Sequence, residues 1–115
     1  MAIPVKTNLT VYQGSRYDHR INVTDEDILW DMTSFTAEMH VRTTVATATT
    51  LFEADSNDYI TVNGPGGYIQ ITIPASVSAA WTWTKGVYDL EITSPAGYTW
   101  RLIEGSIKVK PEVTR

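Results

Sequence analysis

The stretch Tyr88–Val109, YDLEITSPAGYTWRLIEGSIKV, indicates the fold of this 115-residue chain. On both sides of its central Pro95-Ala96-Gly97, apolar side chains occupy every second position, which is typical of strands with one face on a core. Pro95–Gly97 fits a three-residue loop, with Pro opening a type I turn and Gly in the left-handed position that follows. The stretch therefore predicts a β-hairpin.

The turn predicts which residues of the hairpin face one another. A slip of one residue would set apolar side chains against charged ones, so the turn and the alternation favour the same register. Gly105 interrupts the second strand and is interpreted as a β-bulge, beyond which Ile107 and Val109 return to the inner face. The predicted facing pairs are Ser94–Tyr98, Ile92–Trp100, Glu91–Arg101 and Leu90–Leu102.

The hairpin brings two carboxylates, Asp89 and Glu91, close to Arg101. Such a group suits either acid–base chemistry or an ion pair on the solvent face. Acid–base catalysis needs desolvated carboxylates with shifted pKa values, which an open sheet face does not supply. We therefore interpret Glu91–Arg101 as a structural ion pair worth a few tenths to about 1 kcal/mol, and we expect no catalytic residue and no enzyme.

The same alternation recurs along the chain, and turn signals separate its segments at the spacing of a β-sandwich. Pro74–Trp83, PASVSAAWTW, alone has a helical character. The sequence thus predicts an all-β antiparallel sandwich of about 7–9 strands with one short helical turn. The remaining predicted strands are Leu9–Tyr12, Tyr17–Val23, Phe35–Arg42, Thr50–Glu53, Tyr59–Val62 and Tyr68–Ile73.

Length and composition narrow the class of protein. The 115 residues suit a single domain, 1–115, and the absence of cysteine excludes disulfides and thiolate metal sites. The net charge of −4 argues against a nucleic-acid partner. No apolar run reaches the ~20 residues of a membrane span, and the first residues lack the apolar segment of a secretory signal. We expect a soluble protein made in a cytosol, with no cofactor.

Two other groups of residues are candidate sites. Trp30, Trp81 and Trp83 suit either a lid on the core or an aromatic platform for a partner protein or for sugar rings. Four carboxylates between Asp25 and Asp31 have the oxygen ligands that Ca²⁺ prefers, but they lack the spacing and glycine of a dedicated loop. We interpret this cluster as a solvated turn and predict no metal site.

Several segments together resemble a known family. They are the acidic turn before Asp31-Met32-Thr33-Ser34, the strand after Gly67, the Tyr88-Asp89-Leu90-Glu91 hairpin and the closing Pro111–Arg115. The chain looks like the small Ig-like β-sandwich of tailed-phage virion proteins and is similar to the N-terminal domain of phage upper baseplate proteins. It also resembles short stand-alone phage and prophage structural proteins. Met32 and Ser34 depart from the family's D-L-T-G turn.

The resemblance implies a structural component of a tailed-bacteriophage virion, in the collar, tail, baseplate or head decoration. Such a protein is made in the bacterial host cytoplasm and works by multicopy assembly, with copies of itself and other virion proteins as partners. The alternative function is a carbohydrate-binding module that stacks Trp30, Trp81 or Trp83 on host glycans. Residues 1–8 and 111–115 contain few apolar side chains, so we predict short, loosely held arms that carry the assembly contacts.

Overall fold

A computed structural model of the chain describes residues 4–25 and 28–113. Within these ranges it has eleven strands and one helix. The elements are β1 (Val5–Lys6), β2 (Leu9–Tyr12), β3 (Tyr17–Asn22), β4 (Thr24–Asp25), β5 (Ile28–Leu29), β6 (Thr36–Arg42), β7 (Thr50–Asp55), β8 (Ile60–Asn63), β9 (Tyr68–Ile73), α1 (Ala75–Ala79), β10 (Lys85–Thr93) and β11 (Thr99–Lys110).

The strands form two main sheets. The larger sheet has the order β1-β11-β10-β6-β7, with β2 also paired to β11, and the smaller one has the order β3-β9-β8. A separate two-stranded ladder joins β4 to β5. The predicted all-β, sandwich-like fold with one short helix is confirmed. Three of the eleven strands are only two residues long, which leaves eight longer ones.

The core lies between the two main sheets and follows the period-2 pattern. Along β9 and β10 alternate side chains are buried, because successive residues of a strand point to opposite faces. Phe35 and Trp100 are half-buried at one end of the sandwich. The buried residues of the alternating segments include Met39, Ile69, Ile71, Leu90, Ile92 and Leu102.

The β10–β11 hairpin has the predicted turn, but its bulge lies elsewhere. Gly97 has a φ of 93°, as the three-residue loop requires. Glu91 faces Arg101 as predicted, whereas Leu90 faces Ile103 because the register shifts there. The predicted Leu90–Leu102 pair and the bulge at Gly105 are therefore wrong.

The apolar pattern of β11 explains the bulge. Inward residues fall on even positions up to Leu102 and on odd positions from Ile107, so one extra residue must be inserted between them. The insertion comes at Leu102 and Ile103, which are both buried. Gly105 has a different function, because the backbone of Thr7 lies directly against its Cα.

The N-terminal segment runs parallel to β11, which the antiparallel prediction did not include. Val5 pairs with Ile103 and Lys6 with Glu104, so part of the predicted N-terminal arm is a short strand. Farther along, β2 pairs in parallel with the last four residues of β11. The first and last strands of the described chain are therefore neighbours at one edge of the larger sheet.

Helix α1 is shorter than the predicted segment 74–83 and is fixed to the β2–β3 turn. Its buried Ser78 hydroxyl accepts a hydrogen bond of 3.0 Å from the Gly14 amide. The Gln13 side chain donates to the Trp81 carbonyl at 2.9 Å and accepts from the Glu112 amide at 3.3 Å. No helix in residues 4–25 and 28–113 is long and apolar enough to span a membrane.

Candidate functional site: the charged face of the larger sheet

The outer face of the larger sheet carries an open groove of about 640 Å³. Outward residues of β6, β10 and β11 form its floor, because alternate side chains of these strands point away from the core. We call this surface the charged face. The groove is lined by Lys6, Asn8, His40, Arg42, Val45, Val87, Tyr88, Asp89, Glu91, Arg101, Glu104, Gly105 and Ser106.

Strand register arranges the charged residues in rows across the face. One row runs from Glu53 on β7 through His40 and Asp89 to Glu104 and then Lys6, since each is the backbone partner of the next. The alternation of acidic and basic residues breaks in the middle of this row, where Asp89 is next to Glu104. Like charges directly opposite one another are destabilising, so neighbouring cations must compensate.

A second row shows the same excess of carboxylates. Asp55, Glu38, Glu91 and Arg101 are successive backbone partners, with one cation for three acids. Toward β7, the charged face therefore carries more carboxylates than cations. A surface of one sign favours encounter with a partner of the opposite sign and disfavours others.

His40 is held by three neighbours. Its Nε2 lies 2.7 Å from Glu38 Oε1 and 3.5 Å from Glu53 Oε1. Its Nδ1 lies 3.2 Å from Arg42 Nη2. Because a guanidinium only donates, Nδ1 must accept, which places the imidazole proton on Nε2, from which it is donated to Glu38. Both ring nitrogens of His40 are thus engaged with neighbouring side chains.

Arg42 also fixes the loop between β6 and β7. Its Nη1 donates to the Thr47 carbonyl at 3.1 Å and to the Ala48 carbonyl. The loop projects Val45 over one end of the groove, with 89% of that residue exposed. Val45 therefore offers an apolar contact to a partner bound on the charged face.

Arg101 makes ion pairs other than the predicted one. Its Nε lies 3.5 Å from Asp89 Oδ2 and its Nη1 lies 3.4 Å from Glu104 Oε2. Glu91 faces Arg101 along the backbone, but no ion pair joins them among the described residues. The bulge at Leu102 is the reason, because it turns Glu104 onto the same face as Arg101.

The charged face is an open surface rather than an enclosed cleft. Its carboxylates lie on an open sheet surface, several of them beside a cation, which is unlike the desolvated environment of a catalytic acid. Within the described part of the chain, no three His, Asp or Glu side chains are grouped so that they could hold a metal ion. The face presents fixed charges and hydrogen-bonding groups to a polar partner.

Trp30 belongs to an aromatic cluster at the hairpin end of the sandwich. Its ring packs edge-on against Trp100, with centroids 5.2 Å apart, and against Phe35 at 5.7 Å. Trp100 also stacks on Phe35, and Tyr98 lies beside it with 67% of that residue exposed. Trp30 is therefore half-buried in a lid over one end of the core, and Tyr98 is the member that reaches solvent.

Trp81 and Trp83 form a second cluster after α1. Their ring centroids are 4.7 Å apart at an angle of 31°, and Trp81 packs edge-on against Phe52 of β7. Both are half-buried. The Trp83 Nε1 is buried and has no hydrogen-bond partner. These rings close the side of the sandwich between the two sheets.

The acidic cluster at 25–31 lies partly outside the described residues. Glu26 and Asp27 are outside them, as is the side chain of Asp25. Asp31 accepts hydrogen bonds from the Thr33 amide at 2.9 Å and from the Thr33 hydroxyl, and these bonds lower the pKa of its carboxyl. Asp31 thus closes a local turn, and the proposed solvated turn stays a prediction.

Sequence reasoning missed Lys6, Arg42 and Glu104 as members of the face. The alternation of Glu38, His40 and Arg42 is a signal that placed all three outward. Lys6 and Glu104 gave no such signal, since their position depends on the parallel pairing and on the bulge.

Tyr88 is a further residue that the sequence did not single out. It lies inward on β10, and its hydroxyl donates a hydrogen bond of 2.6 Å to the Thr7 carbonyl. Burial raises the pKa of the Tyr88 hydroxyl well above its ordinary value, and the nearby Tyr17 adds to the effect. The residue thus ties the N-terminal segment to the core as a neutral donor.

No protein-family model matches the chain, and a search of curated proteins found no similar sequence.

Proposed function

We propose that the protein is a structural component of a tailed-phage virion with an Ig-like sandwich, and that it acts by multicopy assembly. The strand order supports the Ig-like assignment. An Ig-like domain has strands C, F and G in one sheet and B, E and D in the other. Here β6, β10 and β11 correspond to the first set and β3, β9 and β8 to the second.

The observation that carries the proposal is the pair of open edges of the larger sheet. β7 ends the sheet on one side and β1 ends it on the other, alongside the upper part of β11. The outer backbone groups of a terminal strand can pair with a strand of another chain, which gives affinity without a deep pocket. The charged face between these edges adds selectivity for its partners.

Symmetry can turn contacts between such edges into a stable oligomer. A contact between two different edges of the same protein closes into a ring when the rotation is right, as multicopy virion parts require. Each contact then is weak alone and strong in the closed assembly. The collar, tail, baseplate and head decoration remain equal candidates, with synthesis in the bacterial host cytoplasm and other virion proteins as further partners.

The test is sedimentation velocity of the purified chain over a range of concentrations, with electron microscopy of any large species. We expect discrete oligomers that grow with concentration and form closed rings. A chain that stays monomeric throughout, and that also fails to cosediment with the particles of its source phage, contradicts the proposal.

The glycan-binding alternative receives less support from the same geometry. Sugar rings stack on exposed aromatic faces, whereas all three indoles are half-buried, Trp30 against Trp100 and Trp81 against Trp83. A glycan array probed with the wild type and with Trp81→Ala separates the two functions. Binding that Trp81→Ala abolishes while the fold persists would establish the alternative.

A further inference from the structure

Residues 4–8 form a strap along the edge of β11, beside residues 103–106. We propose that this strap exchanges between copies. In the exchanged state, the strap of one copy pairs with residues 103–106 of a second copy. This inference rests on the proposed function, because strap exchange would be one way in which the copies assemble. It names the partner as a second copy of this chain and the surface as the β11 edge.

Within residues 4–25 and 28–113, the hydrogen bonds of Thr7 and Asn8 go to β10 and β11. The Thr7 amide donates to the Glu104 carbonyl at 2.8 Å, and the Thr7 carbonyl accepts from Tyr88. The Ser106 amide donates to Asn8 Oδ1 at 3.1 Å. A second, identical strap offers the same groups, so exchange conserves every one of these bonds.

Side-chain burial does little to hold the strap in its own copy. Pro4, Val5 and Lys6 are all exposed, and Val5 keeps 51% of its surface. Detaching these residues therefore exposes little new apolar surface, which is the main term that opposes strand release. Exchange of an identical element is a low-cost route to an oligomer under these conditions.

We call the site that the strap occupies on Tyr88 and residues 104–106 the seat, and an empty seat is less stable than a filled one. Release leaves the Tyr88 hydroxyl without its acceptor and uncovers the β11 edge at Glu104 and Ser106. Any strap with the same backbone groups restores these hydrogen bonds, each of which adds a small net stabilisation over water. The edge of β11 is therefore stabilised by a strap from either copy.

Gly105 leaves the room that a strap needs on β11. A Cβ at this position would lie 2.9 Å from the Thr7 carbonyl carbon and closer still to its oxygen. A side chain there would push out a strap from either source. Gly105→Ala is therefore a variant that closes the seat to own and foreign straps alike.

The length of the strap limits the arrangement of the copies. Five extended residues span at most about 17 Å, so exchanging copies must abut at this edge of the sheet. Reciprocal exchange gives a closed dimer, and head-to-tail exchange gives a ring or a filament.

Cysteine cross-linking tests the exchange directly, since the chain has no cysteine of its own. Lys6 and Glu104 are backbone partners, and Thr10 and Lys108 are partners farther along the same ladder. Two single variants, Lys6→Cys and Glu104→Cys, are made with tags of different length, mixed at high concentration and oxidised. Only exchange between copies brings these two cysteines together, at the Cα separation that a disulfide requires.

The matched control is a mixture of Thr10→Cys with Lys108→Cys, because β2 is anchored by its own buried side chains. We expect the first mixture to give a heterodimer at least several times more abundant than the control does. Adding Gly105→Ala to the Glu104→Cys chain should return the yield to the control level, with circular dichroism confirming that the variant folds.

Equal heterodimer yields from the two mixtures overturn the exchange. Sedimentation then separates the two proposals. Oligomers that form without cross-linking leave assembly standing and move its contacts elsewhere, whereas a chain that neither cross-links nor oligomerises contradicts both.

Discussion

The strap and β2 pair with the same strand in the same direction, yet they are held differently. β2 buries Leu9 and Val11 in the core, while the strap leaves Val5 exposed. Backbone hydrogen bonds add only about 0.5–1.5 kcal/mol each on balance, because water competes for the same groups. Burial therefore anchors a strand in this sheet, whereas backbone pairing alone only positions it.

The largest effect should separate the two segments outright. Leu9→Ala removes a buried side chain and should lower the free energy of unfolding by about 2–5 kcal/mol. The matched change Val5→Ala, on the exposed strap, should cost under about 0.5 kcal/mol. Denaturant titration measures both, and similar costs for the two variants would show that the strap is part of the core.

Among the described residues, the Tyr88 hydroxyl is the side-chain donor that joins the core to the strap, so Tyr88→Phe should act on the strap alone. We expect a cost of about 1 kcal/mol, since the Thr7 carbonyl loses a partner. Hydrogen exchange should become faster in residues 5–8 and stay unchanged in residues 9–12. Equal acceleration in both segments would mean that the hydroxyl supports the whole edge.

Alkaline pH should release the strap through the same residue. The pKa of Tyr88 is higher in the folded than in the unfolded chain, where it is about 10. The stabilisation is then present in full below about pH 10 and is lost as the pH rises through the folded pKa. A pH titration of stability should therefore fall more steeply for the wild type than for Tyr88→Phe, and parallel curves would contradict this.

The smallest effects should come from the charged face. Asp89→Asn removes an exposed ion pair with Arg101 and should cost under about 1 kcal/mol. Glu91→Gln removes a carboxylate with no such pair and should change stability by less than about 0.5 kcal/mol. Thermal unfolding at low and high salt compares them, and a large loss in either would make the face a structural element like β2.

Much of the fold was predictable because alternation and turn chemistry are local. Tyr68–Ile73 and Leu9–Tyr12 have the predicted bounds, and the hairpin turn has its left-handed Gly97. These features depend on residues within a few positions of one another, so the sequence carries their signal directly.

The bulge and the strap depend on distant parts of the chain. The inward residues of β11 change from even to odd positions, so the strand needs one extra residue. From the sequence, Gly105 and Leu102–Ile103 suit this insertion equally, and the contact between Gly105 and Thr7 shows that Gly105 is needed for another reason. Glu91 faces Arg101 as predicted, but the ion pairs of Arg101 go to Asp89 and to Glu104, which the register shift turns onto the same face. The half-burial of Trp30 likewise depends on Trp100, seventy positions away.

The pairing of β2 with the end of β11 has a consequence on the ribosome. Among the described residues, the partner strand of residues 9–12 is residues 107–110, which leave the exit tunnel much later. Contacts between residues so far apart in the sequence also slow folding. The nascent chain must therefore carry β2 without this partner until residues 107–110 have emerged, at a stage when neighbouring nascent chains on one messenger offer an alternative edge.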